Sequence, residues 1–303
     1  MRRTRNDWDQ WWTALENRVI QLIKSGERDL NRIILLSSFP NHLSLSDEFA
    51  QPERSQRIDD YIVDRQILRC HNYSYQAIRQ GIRSARIQEI ISACDRSTER
   101  IIELGAGYAC QLFSIWLNGG PREAEYHAYE FSPKARNVAK IIKDTTGFSQ
   151  LKIHDFDFYN PNLSNLDNKP TVVFTNYSIE GIPMIKPALI EAISQIPGLQ
   201  KCIHFEPIGW QIKDTTWLAS KNVFSALKNK SICKKIDFDT KRAYSNWANT
   251  NLYSVLEQMQ KKRLIKIVKI IKNFNGRSCD VNGRSCYVPA TLIIWQKNRE
   301  SHT

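Results

Sequence analysis

The sequence predicts an α/β protein with a doubly wound, mostly parallel, seven-stranded sheet whose last strand is antiparallel, preceded by an α-helical region. Three observations support this. Short apolar segments alternate with helical patterns after Thr98, their spacing is that of strand–helix–strand units, and only a loop separates the last two strands. Such alternation is typical of a parallel sheet with helices on both faces. We therefore predict a helical region over 1–98 and a sheet domain over 99–303.

The N-terminal region carries apolar residues at helical spacing. A first helix is predicted from the recurrence at three- and four-residue steps of Trp8, Trp12, Leu15, Val19 and Leu22. A short second helix is expected near residues 30–36, followed by a linker rich in serine and proline. Two more helical stretches are predicted after it, from the apolar positions Ile58, Tyr61, Ile62 and Leu68 and then Tyr75, Ile78, Ile82 and Ile90.

The sheet domain follows in order from the same patterns. Strands are predicted at 100–104, 125–130, 151–154, 171–176, 200–206, 264–272 and 290–297. The helices predicted between them lie near 108–118, 133–145, 183–195, 215–229 and 240–262. The final loop contains the motif NGRSC twice, and its Asn-Gly steps indicate a hairpin extension.

Composition limits the function classes. Among 303 residues, 42% are hydrophobic and 24% charged, which is typical of a folded globular protein. No apolar run is long enough for a membrane span. The seven scattered cysteines form no C-x-x-C pair, which favours reduced thiols and a cytoplasmic location. The net charge of +12 is compatible with a phosphate-bearing partner, but dispersed surface charge is the favoured interpretation. No metal-ligand cluster is visible, so we expect metal independence.

The segment IIELGAGYAC is a strand, a glycine turn and the start of a helix, where backbone N–H groups can hold a ligand. A dinucleotide fingerprint needs a third glycine, and Cys110 stands there instead. The spacing acid-x-G-x-G-x-small is satisfied by Glu103, Gly105, Gly107 and Ala109.

This pattern resembles the class I, Rossmann-like methyltransferases that use S-adenosylmethionine, and the resemblance extends over about residues 99–297. In that family the acidic residue lies near the amino-acid end of the cofactor, which implies this role for Glu103. The glycines let the backbone approach the cofactor, which implies that Gly105, Ala106 and Gly107 contact it. Ala109 replaces a glycine of many members, a mild departure because alanine is small and packs in a helix.

Three further matches follow in the family's order. Glu130 ends the second strand, where the resemblance implies that a carboxylate accepts both ribose hydroxyls. Phe131 is expected beside the adenine. After the third strand, Asp157 and Phe158 match the acid and apolar residue that meet the adenine amino group and ring, with Asp155 as an alternative acid.

The fourth strand brings Asn176 and Tyr177 to the edge of the pocket, where family members place groups facing the transferred methyl. Tyr177 is expected to shape the substrate pocket and Trp210 to cap it. If the acceptor is a hydroxyl, a general base would assist. The candidates are Glu206, Glu180 and His204, with His204 ranked behind Glu206 because a histidine in a buried strand is more often structural.

The resemblance also implies that the helical N-terminal region covers the pocket as a lid or mediates a homodimer. Within RCHNYSY we expect Tyr73 to meet the cofactor, although helix packing would suit it equally. Weak likeness to bacterial sugar and natural-product O-methyltransferases favours a small-molecule acceptor, a hydroxyl of a sugar or secondary metabolite. The alternative is an RNA- or protein-modifying methyltransferase. A cofactor-binding protein without catalysis is disfavoured by three intact acids.

Overall fold

The computed structural model describes residues 5–37, 57–63, 66–74, 85–212, 249–272, 274, 277–279 and 290–298. Its helices are α1 (Arg5–Lys24), α2 (Leu30–Ser37), α3 (85–93), α4 (Cys110–Leu117), α5 (Pro133–Thr146), α6 (Pro187–Ser194) and α7 (Leu252–Lys261). Its strands are β1 (Arg57–Val63), β2 (Gln66–Ser74), β3 (Arg100–Leu104), β4 (Glu125–Glu130), β5 (Leu151–Asp155), β6 (Thr171–Asn176), β7 (Leu199–Glu206), β8 (Ile265–Ile271), β9 (Arg277–Cys279) and β10 (Thr291–Lys297).

The main sheet has seven strands in the order β5-β4-β3-β6-β7-β10-β8. β10 pairs antiparallel with both of its neighbours, and the pairs on the other side of β7 are parallel. The predicted fold class is therefore confirmed, including the reversed last strand. The predicted limits of β3, β4 and β6 agree with the structure to the residue.

Helices cover both faces of this sheet. One cluster of buried apolar residues joins α2, α3, α4 and α5 to the sheet, and a second joins α6 and α7 to it. Ile101 belongs to the first cluster and Ile102 to the second, because successive side chains of a strand point to opposite faces. This two-sided burial explains why the strands are almost uninterrupted apolar runs.

The chain order places a crevice at the carboxyl end of the sheet's centre. After β3 the chain moves outward to β4 and β5, and then crosses back to β6 on the other side of β3. At such a reversal the connections leave in opposite directions and open a space for a ligand.

The N-terminal region differs from the prediction. The stretches expected to be helical over 57–74 form β1 and β2, which pair antiparallel, and β9 adds to β1 in a separate three-stranded sheet. Isoleucine, valine and tyrosine favour strands, and pairing with a segment more than 200 residues away cannot be read from local periodicity. β9 consists of the last three residues of the first NGRSC copy, so this part of the predicted extension contributes to the sheet. The predicted helix at 215–229, the linker and Tyr75 lie outside the described residues.

Candidate active site

A cavity of about 400 Å³ opens at the carboxyl ends of β3, β4 and β6. The residues predicted from sequence that line it are Glu103, Gly105, Ala106, Gly107, Glu130, Phe131, Asp157, Phe158, Asn176, Tyr177 and Glu180. The lining residues that sequence reasoning missed are Trp12, Tyr108, Cys110, Gln111, Tyr159, Ser178, Gly181 and Ile182. The structure thus gathers residues from α1 and from the ends of four strands, β3, β4, β5 and β6, and the loops after them around one space.

The glycine loop forms the floor of the cavity in a conformation that favours glycine. Gly105 and Gly107 have φ of 75° and 54°. The N–H groups of Gly105 and Ala106 donate to the carbonyl oxygen of Tyr129 at 2.7 and 3.1 Å, which ties the loop to β4. A Cβ on Gly105 would overlap the side chain of Ser178 and lie 3.1 Å from the Phe158 ring. The neighbouring loops therefore leave no room for a larger residue.

Ala109 is more strained than the sequence suggested. It precedes α4 with φ 64° and ψ 22°, the left-handed conformation, and its side chain is buried. The sequence analysis explained the alanine by its packing within a helix. That explanation was wrong, because Ala109 is the N-cap residue and lies just before the helix. Glycine would adopt this conformation without steric cost.

The Glu130 carboxylate connects the glycine loop with the start of α5. Its Oε2 accepts a hydrogen bond from the N–H of Gly107 at 2.7 Å, and its Oε1 accepts from the N–H of Ser132 at 2.8 Å. Burial raises the pKa of Glu130, while these backbone hydrogen bonds act in the opposite direction. The Glu130 carboxylate and the glycine loop therefore hold each other in position at the cavity wall.

Two acids near the end of β5 occupy different environments. Asp157 lines the cavity, and its Oδ1 accepts from the N–H of Tyr159 at 2.9 Å. Asp155 lies outside the lining and pairs with Nη1 of Arg136 at 2.8 Å. This placement is consistent with the choice of Asp157 over Asp155, and Phe158 beside it supplies an aromatic wall.

A buried arginine orients the residues after β6. Nη1 of Arg86, on α3, donates to Oδ1 of Asn176 at 2.7 Å, and its guanidinium stacks on the Tyr177 ring at 4.5 Å. Because arginine only donates, the oxygen of Asn176 must face Arg86, and its amide nitrogen points elsewhere. Sequence reasoning missed Arg86, since one basic residue in a helical segment carries no distinguishing pattern.

Glu206 was predicted, together with Glu180, as one of the two strongest candidates for a general base, but the structure places it outside the cavity lining. Its side chain is fully buried and is not among the lining residues. Its carboxylate accepts backbone hydrogen bonds from Ser178, Ile179 and Glu180 at 3.1–3.2 Å. Burial, and then the charge of Glu180, raise its pKa to about 7. This geometry corresponds to a residue that positions the loop after β6 and not to one that contacts substrate.

His204 is also withdrawn from the cavity. Nε1 of Trp295 donates to its Nε2 at 2.9 Å, and its Nδ1 lies 2.9 Å from Oγ1 of Thr175. Because an indole nitrogen only donates, Nε2 must be the acceptor and Nδ1 carries the proton. Burial lowers its pKa to about 3. A neutral histidine with both nitrogens engaged and no access to the cavity does not fit the predicted catalytic role.

The depressed pKa predicts an acid-dependent loss of stability. Below pH 6.5 the unfolded chain protonates this histidine, whereas the folded protein does so only near pH 3. Between pH 7 and pH 5 the wild type should therefore lose about 2 kcal/mol relative to His204→Gln, which stays neutral and keeps one acceptor and one donor. Urea unfolding of both proteins at the two pH values measures this. An equal stability difference at both pH values would contradict it.

Two predicted residues cannot be placed at the cavity. Tyr73 lies on β2 opposite Ile58, and Trp210 lies in the 3₁₀ turn Gly209–Ile212 after β7. The side chains of both are outside the described part of the structure, so their roles stay predictions. Within the described ranges, no group of three or more histidine, cysteine or acidic side chains is arranged to hold a metal. Nor does any helix among them have the length and apolarity to cross a membrane.

Comparisons with known proteins concern the fold. No protein-family model and no curated protein sequence matches this chain. The magnesium protoporphyrin IX methyltransferase of Synechocystis PCC 6803, with bound SAH, is 9% identical and similar over 75% of this chain and 90% of its own, with a TM-score of 0.44. An SAH-bound methyltransferase of Podospora anserina is 12% identical over 86% of this chain and 99% of its own, with a TM-score of 0.44. The fold assignment itself rests on the strand order and pairing of this protein's own sheet.

Proposed function

We propose that the protein is an S-adenosylmethionine-dependent methyltransferase acting on a small molecule, with a hydroxyl of a sugar or secondary metabolite as acceptor. The observation that carries the proposal is the Glu130 carboxylate, bound to the Gly107 N–H at 2.7 Å at the wall of the cavity. Glu103, on β3, and Asp157, two residues after β5, line the same cavity. The three acids named by the sequence pattern therefore meet around one space of suitable size.

The residues present fit this cofactor. The two glycines form a floor on which an added Cβ would meet a neighbouring side chain at 3.1 Å or less. Oε1 of Gln111 is buried and accepts no hydrogen bond from any described residue, so it can accept one from a ligand N–H. The described lining contains four carboxylates and no lysine, arginine or histidine side chain. Such a wall suits a sulfonium and an ammonium group, and it would repel the phosphates of a dinucleotide.

The family resemblance implies that these residues bind different parts of the cofactor. Glu130 would hold the ribose hydroxyls, Asp157 and Phe158 the adenine, and Glu103 the amino-acid end. When bound, S-adenosylmethionine supplies a methyl group on a sulfonium, which is already activated for transfer. The protein's contribution is then mainly to orient the acceptor, which can supply about 7–11 kcal/mol of the barrier reduction.

Glu180 is the residue that we assign as general base. It lines the cavity, whereas Glu206 and His204 do not. A carboxylate there can take the proton from an acceptor hydroxyl, a contribution of roughly 10²–10⁴-fold. Glu206 accepts the Glu180 N–H at 3.1 Å and so helps to hold Glu180 in position.

The alternative, a macromolecular acceptor, has one observation in its favour, the net charge of +12. The acidic cavity wall counts against a nucleic-acid backbone at this site, because phosphates would be repelled. Binding to mixed-sequence RNA that falls steeply with added salt would support the alternative. Undetectable binding at low salt would exclude it.

The proposed function predicts that S-adenosylhomocysteine stabilises the protein. At a thousandfold excess over Kd, the gain is about 4 kcal/mol, which corresponds to several degrees in Tm. Glu130→Ala should remove this gain, because it deletes the carboxylate that the ribose needs. Asp155→Ala is the matched control, since this nearby acid lies outside the cavity lining and should leave the gain intact. A wild-type Tm that does not respond to the ligand would overturn the proposed function.

A further inference from the structure

Helix α1 is docked beside the glycine loop by its own polar contacts. Oδ1 of Asp9 accepts from the Ser132 hydroxyl and from the N–H of Lys134 at 3.2 Å, at the start of α5. About two turns further along α1, Oε1 of Glu16 accepts a hydrogen bond from Nδ2 of Asn137 at 2.9 Å. These bonds attach α1 to the helix that follows Glu130 and so determine where its remaining side chains lie.

Among the described side chains of α1, Trp12 lines the cavity. Its six-membered ring covers Gly107, where an added Cβ would lie 3.0 Å from Cη2 and 3.1 Å from Cζ2. Its ring also meets the edge of the Tyr108 ring, with centroids 6.1 Å apart. Trp12 is therefore packed on the face of the loop opposite the sheet and forms part of the cavity wall.

The indole N–H of Trp12 has no acceptor in the described structure, although it is buried. A buried donor without a partner is rare in folded proteins, because it has lost its hydrogen bonds to water and gained none. An indole N–H is a donor only. Because Trp12 also lines the cavity, its N–H is available to a ligand that brings a hydrogen-bond acceptor to this part of the wall.

The charge of the wall indicates which acceptor. In the proposed function, Glu103 binds the amino-acid end of the cofactor, Glu130 binds the ribose hydroxyls and Asp157 binds the adenine. The cofactor's one anionic group, the carboxylate of the amino-acid portion, meets no lysine, arginine or histidine among the described lining residues. The described lining offers it neutral donors, and the Trp12 N–H is one that has no acceptor among the described residues.

We infer that the Trp12 indole N–H donates a hydrogen bond to the carboxylate of the bound cofactor, so that α1 completes the cofactor site. This inference rests on the proposed function. It gives the N-terminal region a specific role: α1 binds the amino-acid portion of the ligand, and the sheet domain binds the adenosine portion.

The test compares two ligands on the full chain by titration calorimetry. S-Adenosylhomocysteine has the amino-acid portion, and 5′-methylthioadenosine has the adenosine and sulfur without it. Trp12→Phe keeps an aromatic ring on Gly107 but removes the N–H. It should weaken S-adenosylhomocysteine binding roughly tenfold, because a hydrogen bond to a charged group is lost. Binding of 5′-methylthioadenosine should change less than about twofold.

Trp116→Phe is the matched control. Its indole nitrogen is also buried without an acceptor among the described residues, but it packs against Phe148 outside the cavity lining. This variant should bind both ligands as the wild type does. If Trp12→Phe weakens both ligands equally, or neither, the inference is overturned and the proposed function stands. If the wild type binds neither ligand, the proposed function fails first.

Discussion

Gly105→Ala is expected to lower the free energy of unfolding by about 3 kcal/mol or more and to abolish binding of S-adenosylhomocysteine. Two costs combine. Left-handed φ of 75° costs a non-glycine residue about 1–2 kcal/mol. The new Cβ would also overlap the Ser178 side chain, which donates to the carbonyl oxygen of Leu104 at 2.9 Å and cannot move without breaking that bond. Urea unfolding and calorimetric titration measure both effects.

Two other positions separate these costs. Gly147 has φ of 69°, and an added Cβ there would meet nothing within 4 Å, so Gly147→Ala should show the backbone cost alone. Ala109→Gly removes a left-handed alanine, and the relief of strain should nearly balance the added flexibility of the unfolded chain, within about 1 kcal/mol. If Gly105→Ala costs no more than Gly147→Ala, the tight packing of the loop against Ser178 is not real.

The main sheet could be predicted because its signals are local and repeated. Each strand is a short apolar run with a turn at its end, and no helix was predicted between the last two strands of the main sheet, which indicates the antiparallel pair. The sheet of β1, β2 and β9 could not be predicted in the same way. The pairing of β1 with β9 joins residues that are more than 200 positions apart, and the apolar spacing of β1 and β2 also suits a helix.

Most residues predicted to bind a cofactor line the cavity, whereas two of the three predicted general bases do not. Acids at the carboxyl ends of parallel strands lie at the same edge of a sheet, and the family resemblance implied which of them to choose, namely Glu103, Glu130 and Asp157. Whether a side chain lines a cavity or lies beneath it depends on which face of the strand end it occupies. Glu206 therefore looked equivalent to Glu180 in the sequence. Trp12 was predicted only as one position of an apolar helix face, because its contact with the loop is purely tertiary.

Glu206→Ala is the second substitution with a large expected effect. It would leave the N–H groups of Ser178, Ile179 and Glu180 without their acceptor, as well as the hydroxyl of Thr175, which also hydrogen-bonds this carboxylate. Each unsatisfied group costs about 1–3 kcal/mol. Relief of the buried charge offsets about 3 kcal/mol of this at pH 7, because the pKa of Glu206 is raised to about 7 from 4.5. We expect a net loss of about 3 kcal/mol or more.

Glu180→Gln is the comparison variant, because Glu180 is proposed to act in catalysis and Glu206 to position the loop after β6. Glu180 lines the cavity, and its charge contributes to the raised pKa of Glu206. Its replacement should change the free energy of unfolding by less than about 1 kcal/mol and leave S-adenosylhomocysteine binding within about threefold, because no loop contact of the Glu206 carboxylate is lost. Methyl transfer to a hydroxyl acceptor should fall by roughly 10²-fold or more.

Measured together, the two variants show whether Glu180 or Glu206 has the catalytic role. Glu206→Ala should reduce stability and ligand binding in parallel, since the loop from Tyr177 to Gly181 forms one wall of the cavity. If instead Glu206→Ala is as stable as the wild type and binds S-adenosylhomocysteine normally, its three backbone hydrogen bonds do not hold the loop. The carboxylate with a pKa raised to about 7 would then have to be returned to the catalytic role that its position at the end of β7 first suggested.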